Sequence, residues 1–244
     1  MAEGTAQDAS AYDKPEDGEV LIKDRPSPRP KDAATLILVR RDQATPRVLM
    51  GMRSGKHAFM PKKYVFPGGR VDPQDGRAPA LTELSQTEQL RLEKAARRRP
   101  RAFPLTAIRE TFEETGLIVG RAGEVDGKPP EGWESYYGLG AAPCLKGFQL
   151  IGRAVTPPYR PRRFDARFFM AVAEEVLIDE RPPVDGAELS DLQWVTLDDA
   201  MALDIPSVTR FMLGEIQERL EKPARTAGAP FLRWTRTGHV VERL

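Results

Sequence analysis

The sequence predicts one domain of the α/β or α+β class, spanning about residues 33–222. Three observations carry this expectation. Short apolar or alternating runs, each ended by charge or turn residues, recur along the chain. Between them stand a few segments punctuated as helices, of which PLTAIRETFEETG (104–116) is the clearest. No internal repeat and no second apolar core accompany them, so strands and helices belong to one layered unit.

In chain order, residues 1–32 are rich in Pro, Asp, Lys and Ser and are expected to form a flexible arm. AATLILVR (33–40) reads as a strand ended by charge, RDQATP as a turn, and RVLMGMR (47–53) as a returning strand. KYVF (63–66) is a third short strand that delivers the chain into Pro67-Gly68-Gly69. Residues 79–99 contain good helix formers and predict a surface helix with a cationic end before Pro100. In 104–116, Pro104 suits a first turn and Gly116 the position just past a helix end. LIVG (117–120) predicts a strand, and 133–148 is ambiguous, with a helix expected near its end. RRFDARFFMAVA (162–173) alternates as a central strand, and LQWVTL (192–197) is another. Thr196 can cap a helix over 196–203, and SVTRFMLGEIQERLE (207–221) is a longer amphipathic helix. The tail, 223–244, is expected to hold a hairpin about Thr237-Gly238.

Composition narrows the function. The chain has 244 residues, 40% apolar and 30% charged, which is the balance of a water-soluble globular protein. A formal net charge of +1 gives no global field toward nucleic acid or an anionic membrane. Cys144 stands alone, which excludes an internal disulfide and any multi-cysteine zinc site. With only His57 and His239, a histidine-rich metal centre is disfavoured as well. The first twenty residues lack the apolar stretch of a signal peptide, and no run reaches the roughly 18 apolar residues of a membrane helix. The expectation is a cytoplasmic protein with no membrane and no nucleic-acid partner.

The chemistry concentrates in RETFEETGL (109–117). On a helix, Glu110, Glu113 and Glu114 fall within a wedge about 100° wide, opposite Leu105, Ile108 and Phe112. Three carboxylates this close repel one another unless a cation sits among them. Oxygen ligands with no His or Cys nearby favour Mg²⁺ or Mn²⁺ over zinc. Arg109, four residues before Glu113, can brace it. Taken alone, a solvated acidic helix face accounts for the same residues.

A second segment changes the weighting. Phe66-Pro67-Gly68-Gly69 and RETFEETGL together resemble the Nudix box: Gly, five residues, Glu, seven residues, then R-E-U-x-E-E-x-G-U with U apolar. The second half is complete, with Thr111 in an apolar slot, and after five intervening residues Asp75 stands where the first half has Glu. The pattern places 14 positions between the Gly and the Arg. Here the separation is 109 − 69 = 40, an insertion of 40 − 14 = 26 residues. That insertion, at about 76–103, is expected to form a mostly helical excursion at the rim of the site. Loop closure grows costlier only slowly with length, so the two halves can still meet.

The resemblance implies the α/β class with a mixed β-sheet sandwiched between α-helices. It implies an enzyme in which water attacks phosphorus and cleaves a diphosphate joined to another moiety, with divalent metal, Mg²⁺ or Mn²⁺. Glu113 and Glu114 match the metal-binding pair, and the Gly68 carbonyl matches a further ligand. Glu110 matches a carboxylate that binds metal or takes a proton from water, and Arg109 the residue that orients the carboxylates. The family recruits its general base from different loops. Glu188 and Asp191 lie where some members keep one, although a solvated loop carboxylate is the slightly favoured reading of each.

The stretch RSGKHAFMPKKYVFPGG (53–69) resembles the upstream signature of coenzyme A-cleaving members, in particular the peroxisomal coenzyme A diphosphatase-like branch. Arg53-Ser54 keep its spacing to Phe66, while Gly51, Ala58 and Lys62 replace expected Thr, Arg and Gly. The implied substrate is coenzyme A or acyl-coenzyme A, cleaved to 3′,5′-ADP and 4′-phosphopantetheine. ADP-ribose or a dinucleotide is the alternative small-molecule partner, a binding-only nucleotide sensor is a weaker one, and a homodimer is left open. Arg53, Lys56, Lys62, Lys63, Arg70, Arg162 and Arg163 are candidates to hold the extra phosphate, with Arg53 preferred. Phe59, Tyr64, Tyr159 and Phe164 are candidates to stack adenine.

Overall fold

In a computed structural model the chain is described over residues 26–55, 60–94, 98–222, 228–235 and 238–244. Most of the expected N-terminal arm lies outside these residues, as do Lys56, Phe59 and Thr237.

The central strand β1 (Lys31–Arg40) organises the sheet. Its edge toward the glycine turn is shared by two partners in succession. It pairs antiparallel with β2 (Arg47–Arg53) at Val39↔Val48, and β3 (Tyr64–Val65) pairs with the C-terminal end of β2 at Gly51↔Val65 and Met52↔Tyr64. Nearer its start, β1 takes β4 (Gly68–Arg70), with Thr35 opposite Gly68 and Ala34 opposite Gly69. The chain then makes a 3-10 turn (Asp75–Arg77) and two helices, α1 (Gln86–Glu93) and α2 (Ala102–Thr115). A small two-stranded sheet, β5 (Arg121–Ala122) with β6 (Ala141–Ala142), brackets α3 (Glu134–Tyr137).

β7 (Gln149–Val155) runs antiparallel to β8 (Phe164–Val172), which lies parallel to β1 from Lys31↔Phe164 to Val39↔Val172. After the short α4 (Ala173–Val176), β9 (Leu189–Thr196) adds to β2. α5 (Leu197–Ala202) and α6 (Ser207–Glu221) follow, then the hairpin β10 (Pro230–Thr235) and β11 (Gly238–Arg243). The hairpin is part of the main sheet, because Phe231 and Leu232 pair parallel with Arg153 and Ala154 of β7.

Layering follows from alternation along β1. Ala34, Leu36 and Leu38 pack on one face with Phe103, Leu105 and Ile108 of α2. Ile37 and Val39 pack on the other with Phe211, Met212 and Ile216 of α6. A strand buried on both faces must be apolar throughout, which is why AATLILVR shows no polar alternation. The mixed sheet between helices is the expected α/β/α arrangement. Among the described residues no helix is long and apolar enough to cross a membrane.

Several local expectations change. The 79–99 helix is confined to Gln86–Glu93, because Ser85 caps its start, accepting from the Glu88 N–H at 3.3 Å. The preceding Thr82 instead makes a bridge with Cys144. In 117–120 only Val119 makes an isolated bridge, to Leu177, and the strand falls at Arg121–Ala122. The helix in 133–148 sits at its beginning, where Gly138 ends it. β7 has no counterpart among the expected strands, because Gly152 interrupts its apolar run. Thr196 does cap α5, accepting from the Asp199 N–H at 3.1 Å.

Candidate active site

The glycine turn and the acidic helix meet. In β4 the Gly68 N–H donates to Glu114 Oε2 at 2.8 Å. Both glycines are required by close approach. A Cβ on Gly68 would lie 2.5 Å from the Ala34 carbonyl oxygen, and one on Gly69 would lie 2.3 Å from the Glu110 carboxyl carbon. One glycine therefore admits the neighbouring strand, and the other admits a carboxylate against the backbone.

Arg109 divides its donors among four groups. Nε and Nη2 grip Asp75 at 2.8 and 3.0 Å, Nη1 reaches Glu113 Oε2 at 3.0 Å, and Nη2 also reaches the Arg70 carbonyl at 3.1 Å and Glu110 Oε1 at 2.9 Å. Asp75 is 0% exposed. Its carboxylate also accepts from Thr106 Oγ1 at 2.6 Å, Trp133 Nε1 at 3.0 Å and its own turn's Asp72 N–H at 2.8 Å. Asp75 thus occupies the slot expected of the first box carboxylate and works as the anchor for Arg109. Thr106 and Trp133 were not among the expected site residues. Neither is marked by spacing, since Trp133 enters from a segment outside both halves of the motif.

Electrostatics separate the three helix carboxylates. Burial raises the Glu110 carboxyl to about 7, against the pull of Arg109. Burial raises Glu114 to about 8, opposed by the Gly68 N–H and by Arg53, with Glu110 and Glu188 pushing the same way as burial. Glu113 is raised by burial too, with Arg109 opposing, yet its side chain is 45% exposed and has room to turn. Arg109 is held firmly protonated although burial works against its charge, because Asp75, Glu110 and Glu113 surround it. Burial lowers Arg53, while Glu114 and Glu188 oppose that.

Arg53 and Glu188 therefore lie within electrostatic reach of the acidic helix. Glu188 is an exposed residue just before β9, and its carbonyl accepts from the Ser54 N–H at 3.0 Å. Asp191 is engaged elsewhere, accepting from the Tyr64 hydroxyl and from Gln193 Nε2.

Beside the glycine turn, on the α6 side of the sheet, lies a cleft of about 320 Å³. Gly68 and Gly69 form part of its wall, so the same backbone carries carboxylates on its α2 side and faces the cleft on the other. Four arginines line it: Arg53, Arg70, Arg160 and Arg162, with Phe164 and Phe168 among the apolar residues. Arg160, buried in the wall, was missed in the sequence, whereas Lys63 and Arg163 turn to other work. Lys63 pairs with Asp204 at 2.5 Å, and Arg163 donates to the Thr156 and Pro28 carbonyls. Tyr159 packs edge-on against Trp234. The box insertion contributes none of the described lining residues; its Leu84 and Leu92 are buried in the α2-side core instead of standing at the rim of the cleft.

Among the described residues no three acidic, His or Cys side chains stand in a metal-holding group. Arg109 accounts for this, since it draws Glu110 and Glu113 to its own guanidinium. The donor chemistry still fits a hard divalent cation. Every candidate ligand is oxygen, and crowded, buried carboxyls with raised pKa values are relieved by a positive charge.

The buried ion pair makes a stability prediction. Asp75→Asn leaves the Arg109 guanidinium without its main counter-charge, and breaking such a pair costs about 3–5 kcal/mol. Urea unfolding of the variant should show a loss of that size. A loss under about 1 kcal/mol, the range of an exposed pair, would contradict the assigned role.

No protein-family model matches the chain. Nudix hydrolase 7 of Caenorhabditis elegans is 27% identical over 178 residues, which cover 68% of this chain and 51% of that protein. An acyl-coenzyme A diphosphatase of Gallus gallus is 33% identical over 137 residues, 47% of this chain and 34% of that one. The matched regions thus span about half and a third of those relatives. The crystal structure of a NUDIX hydrolase from Alicyclobacillus acidocaldarius superposes with a TM-score of 0.55 at 29% identity, covering 76% of this chain and 90% of the other. With the glycine turn and the R-E-T-F-E-E-T-G helix joined as described, the chain is similar to Nudix hydrolases in motif, sequence and fold.

Proposed function

We propose that the chain is a divalent-metal-dependent diphosphatase acting on coenzyme A or acyl-coenzyme A in a cytoplasmic setting, yielding 3′,5′-ADP and (acyl-)4′-phosphopantetheine. The observation that carries this reading is the shared Gly68–Gly69 wall, with the acidic helix on one side and an arginine-lined cleft on the other. A diphosphate brings charge for a metal, and coenzyme A adds a 3′-phosphate that needs cations of its own. The name of the Gallus gallus relative points the same way. ADP-ribose or a dinucleotide is the second reading, because either presents the same ADP moiety.

Glu110, Glu113, Glu114 and the Gly68 carbonyl would hold Mg²⁺ or Mn²⁺, which when bound neutralises the diphosphate charge and polarises its phosphorus. The rest falls to the chain's own residues. Arg109 keeps Glu113 and Glu110 in register, and the Gly68 N–H fixes Glu114. Water attacks one phosphorus, the P–O bond of the anhydride breaks, and the water oxygen stays on one product phosphate. Glu188 is assigned the water's proton, since it is exposed and sits within the field of Glu113 and Glu114. Arg53 is assigned the 3′-phosphate, with Arg162 in the same cleft.

Metal affinity should depend on pH in a stated direction. Cation binding needs ionised carboxylates, and protons occupy Glu110 below about 7 and Glu114 below about 8. Lowering the pH therefore weakens binding, by up to roughly tenfold per unit for each proton displaced. Titration of the protein with Mn²⁺ between about pH 6 and 8.5 should show tighter binding as pH rises. A flat profile contradicts the raised carboxyls.

Glu114→Gln keeps the shape of the side chain and removes its charge. Loss of a ligand charge at the reacting centre should lower kcat by at least ~10²-fold with the fold intact by circular dichroism. Normal turnover by this variant, or full activity in EDTA, rules out the proposed centre.

The substrate is settled by comparing kcat/KM for coenzyme A, ADP-ribose and NADH at equal concentration. Coenzyme A should lead, and dephospho-coenzyme A should lose a charge-assisted contact worth ~1.5–3 kcal/mol. Arg53→Ala should shrink that preference. A much higher kcat/KM for ADP-ribose or NADH decides for the second reading.

A further inference from the structure

Trp133 lies outside both halves of the box, in the irregular segment just before α3. It is 0% exposed, and its one polar side-chain group, the indole N–H, is donated to Asp75 Oδ1 at 3.0 Å. The ring is seated by aromatic neighbours. Tyr136 meets it edge-on at 5.4 Å and Tyr137 lies at 5.7 Å. Those tyrosines are fixed in turn, Tyr136 to the Val119 carbonyl and Tyr137 to the Pro79 carbonyl, both at 2.6 Å. Such a seat holds the indole in one orientation, and an N–H in a fixed place is a directional tool.

We infer that Trp133 is a positioning residue for the acidic centre, acting through Asp75 and Arg109. The inference rests on the proposed metal reading and goes beyond it. The donors on Asp75 are arranged unevenly. Oδ2 accepts from Thr106, Asp72 N–H and Arg109 Nη2, whereas Oδ1 accepts from Arg109 Nε and Trp133 alone. Without the indole, two donors other than Arg109 remain on Oδ2 and none on Oδ1, so the carboxylate is pulled toward one side. The fork that Asp75 offers to Arg109 then turns, and Arg109 carries the turn onward to Glu113 and Glu110. Aspartate is one methylene shorter than the glutamate of the motif, so it reaches less far and depends more on donors that hold it in place. An apolar ring would fill the same seat; only the N–H explains the contact to Asp75.

The test measures Mn²⁺ binding by the full chain, reading free Mn²⁺ by electron paramagnetic resonance, alongside the melting temperature. Trp133→Phe keeps an aromatic ring and deletes the donor. It should bind Mn²⁺ ~3–10-fold more weakly, below the ~10–100-fold effect of groups that touch metal ligands directly, because the indole acts through Asp75 and Arg109. Should Trp133→Phe fail to fold, benzothienylalanine placed at position 133 replaces the N–H with sulfur in a ring of the same shape, and is expected to show the same loss. Ile216→Val, in the core on the opposite face of the sheet, serves as the stability control and should lower the melting temperature without changing Mn²⁺ affinity. Unchanged Mn²⁺ affinity in the Trp133 variants overturns the inference, as does an equal loss in Ile216→Val. Wild-type chain that binds no Mn²⁺ at any pH is a different result, since it removes the metal reading itself and the inference with it.

Discussion

Three carboxylates on two turns of one helix repel each other, and the packing of α2 against the sheet removes much of the water that would screen them. The arrangement stands because Arg109 lies among them, and Arg109 can be partly buried only because Asp75 meets its charge with two parallel hydrogen bonds. That pair is where sequence distance is converted into spatial contact. Asp75 follows the glycine turn by a few residues and Arg109 opens the acidic run, so one ion pair fastens the two halves of the site. The Gly68 N–H to Glu114 is a second, independent fastening of the same halves.

This explains why an insertion inside the motif is tolerated. Lengthening the separation from 14 to 40 residues adds only about 1 kcal/mol of closure entropy. The inserted chain also gains contacts of its own: Leu84 and Leu92 enter the core, and Glu88 accepts the Leu150 N–H at 2.9 Å, tying α1 to β7. An insertion that packs across the α2-side core leaves the cleft on the α6 side of the sheet clear. The inserted segment and the arginine-lined cleft thus lie on opposite faces of the sheet.

How much of this was legible in the sequence follows from the range of the forces involved. β2 and α6 were readable to the residue because their patterns are local, and the Thr196 cap was readable because capping is a contact between near neighbours. β7 was not, since Gly152 hides its pattern and its strand pairing is with distant residues. In the site, Glu110, Glu113, Glu114, Arg109 and the glycines were visible as a motif, and Asp75 by its offset from Gly69. Trp133 and Arg160 were invisible for one reason: each reaches its place through tertiary packing, and a lone indole or guanidinium in a loop carries no spacing to read.

The layout of charge across the Gly68–Gly69 backbone gives the last step. A chain with net charge of +1 has no field to steer an anion from a distance, so any selectivity for a polyphosphate must be built locally. The local charge here is a gradient over one thickness of backbone, with arginines on the cleft side and carboxylates on the helix side. Only residues without side chains allow the two fields to come this close, because a Cβ on Gly69 would occupy the place of the Glu110 carboxylate. An anionic ligand drawn to the arginines alone would be repelled as it neared Glu110 and Glu114. A cation among those carboxylates reverses the sign of the helix side and makes both sides attractive to the same diphosphate. On the proposed reading, the glycine turn is the narrow backbone at which a cation held by the helix carboxylates and a ligand gathered by the arginines would meet.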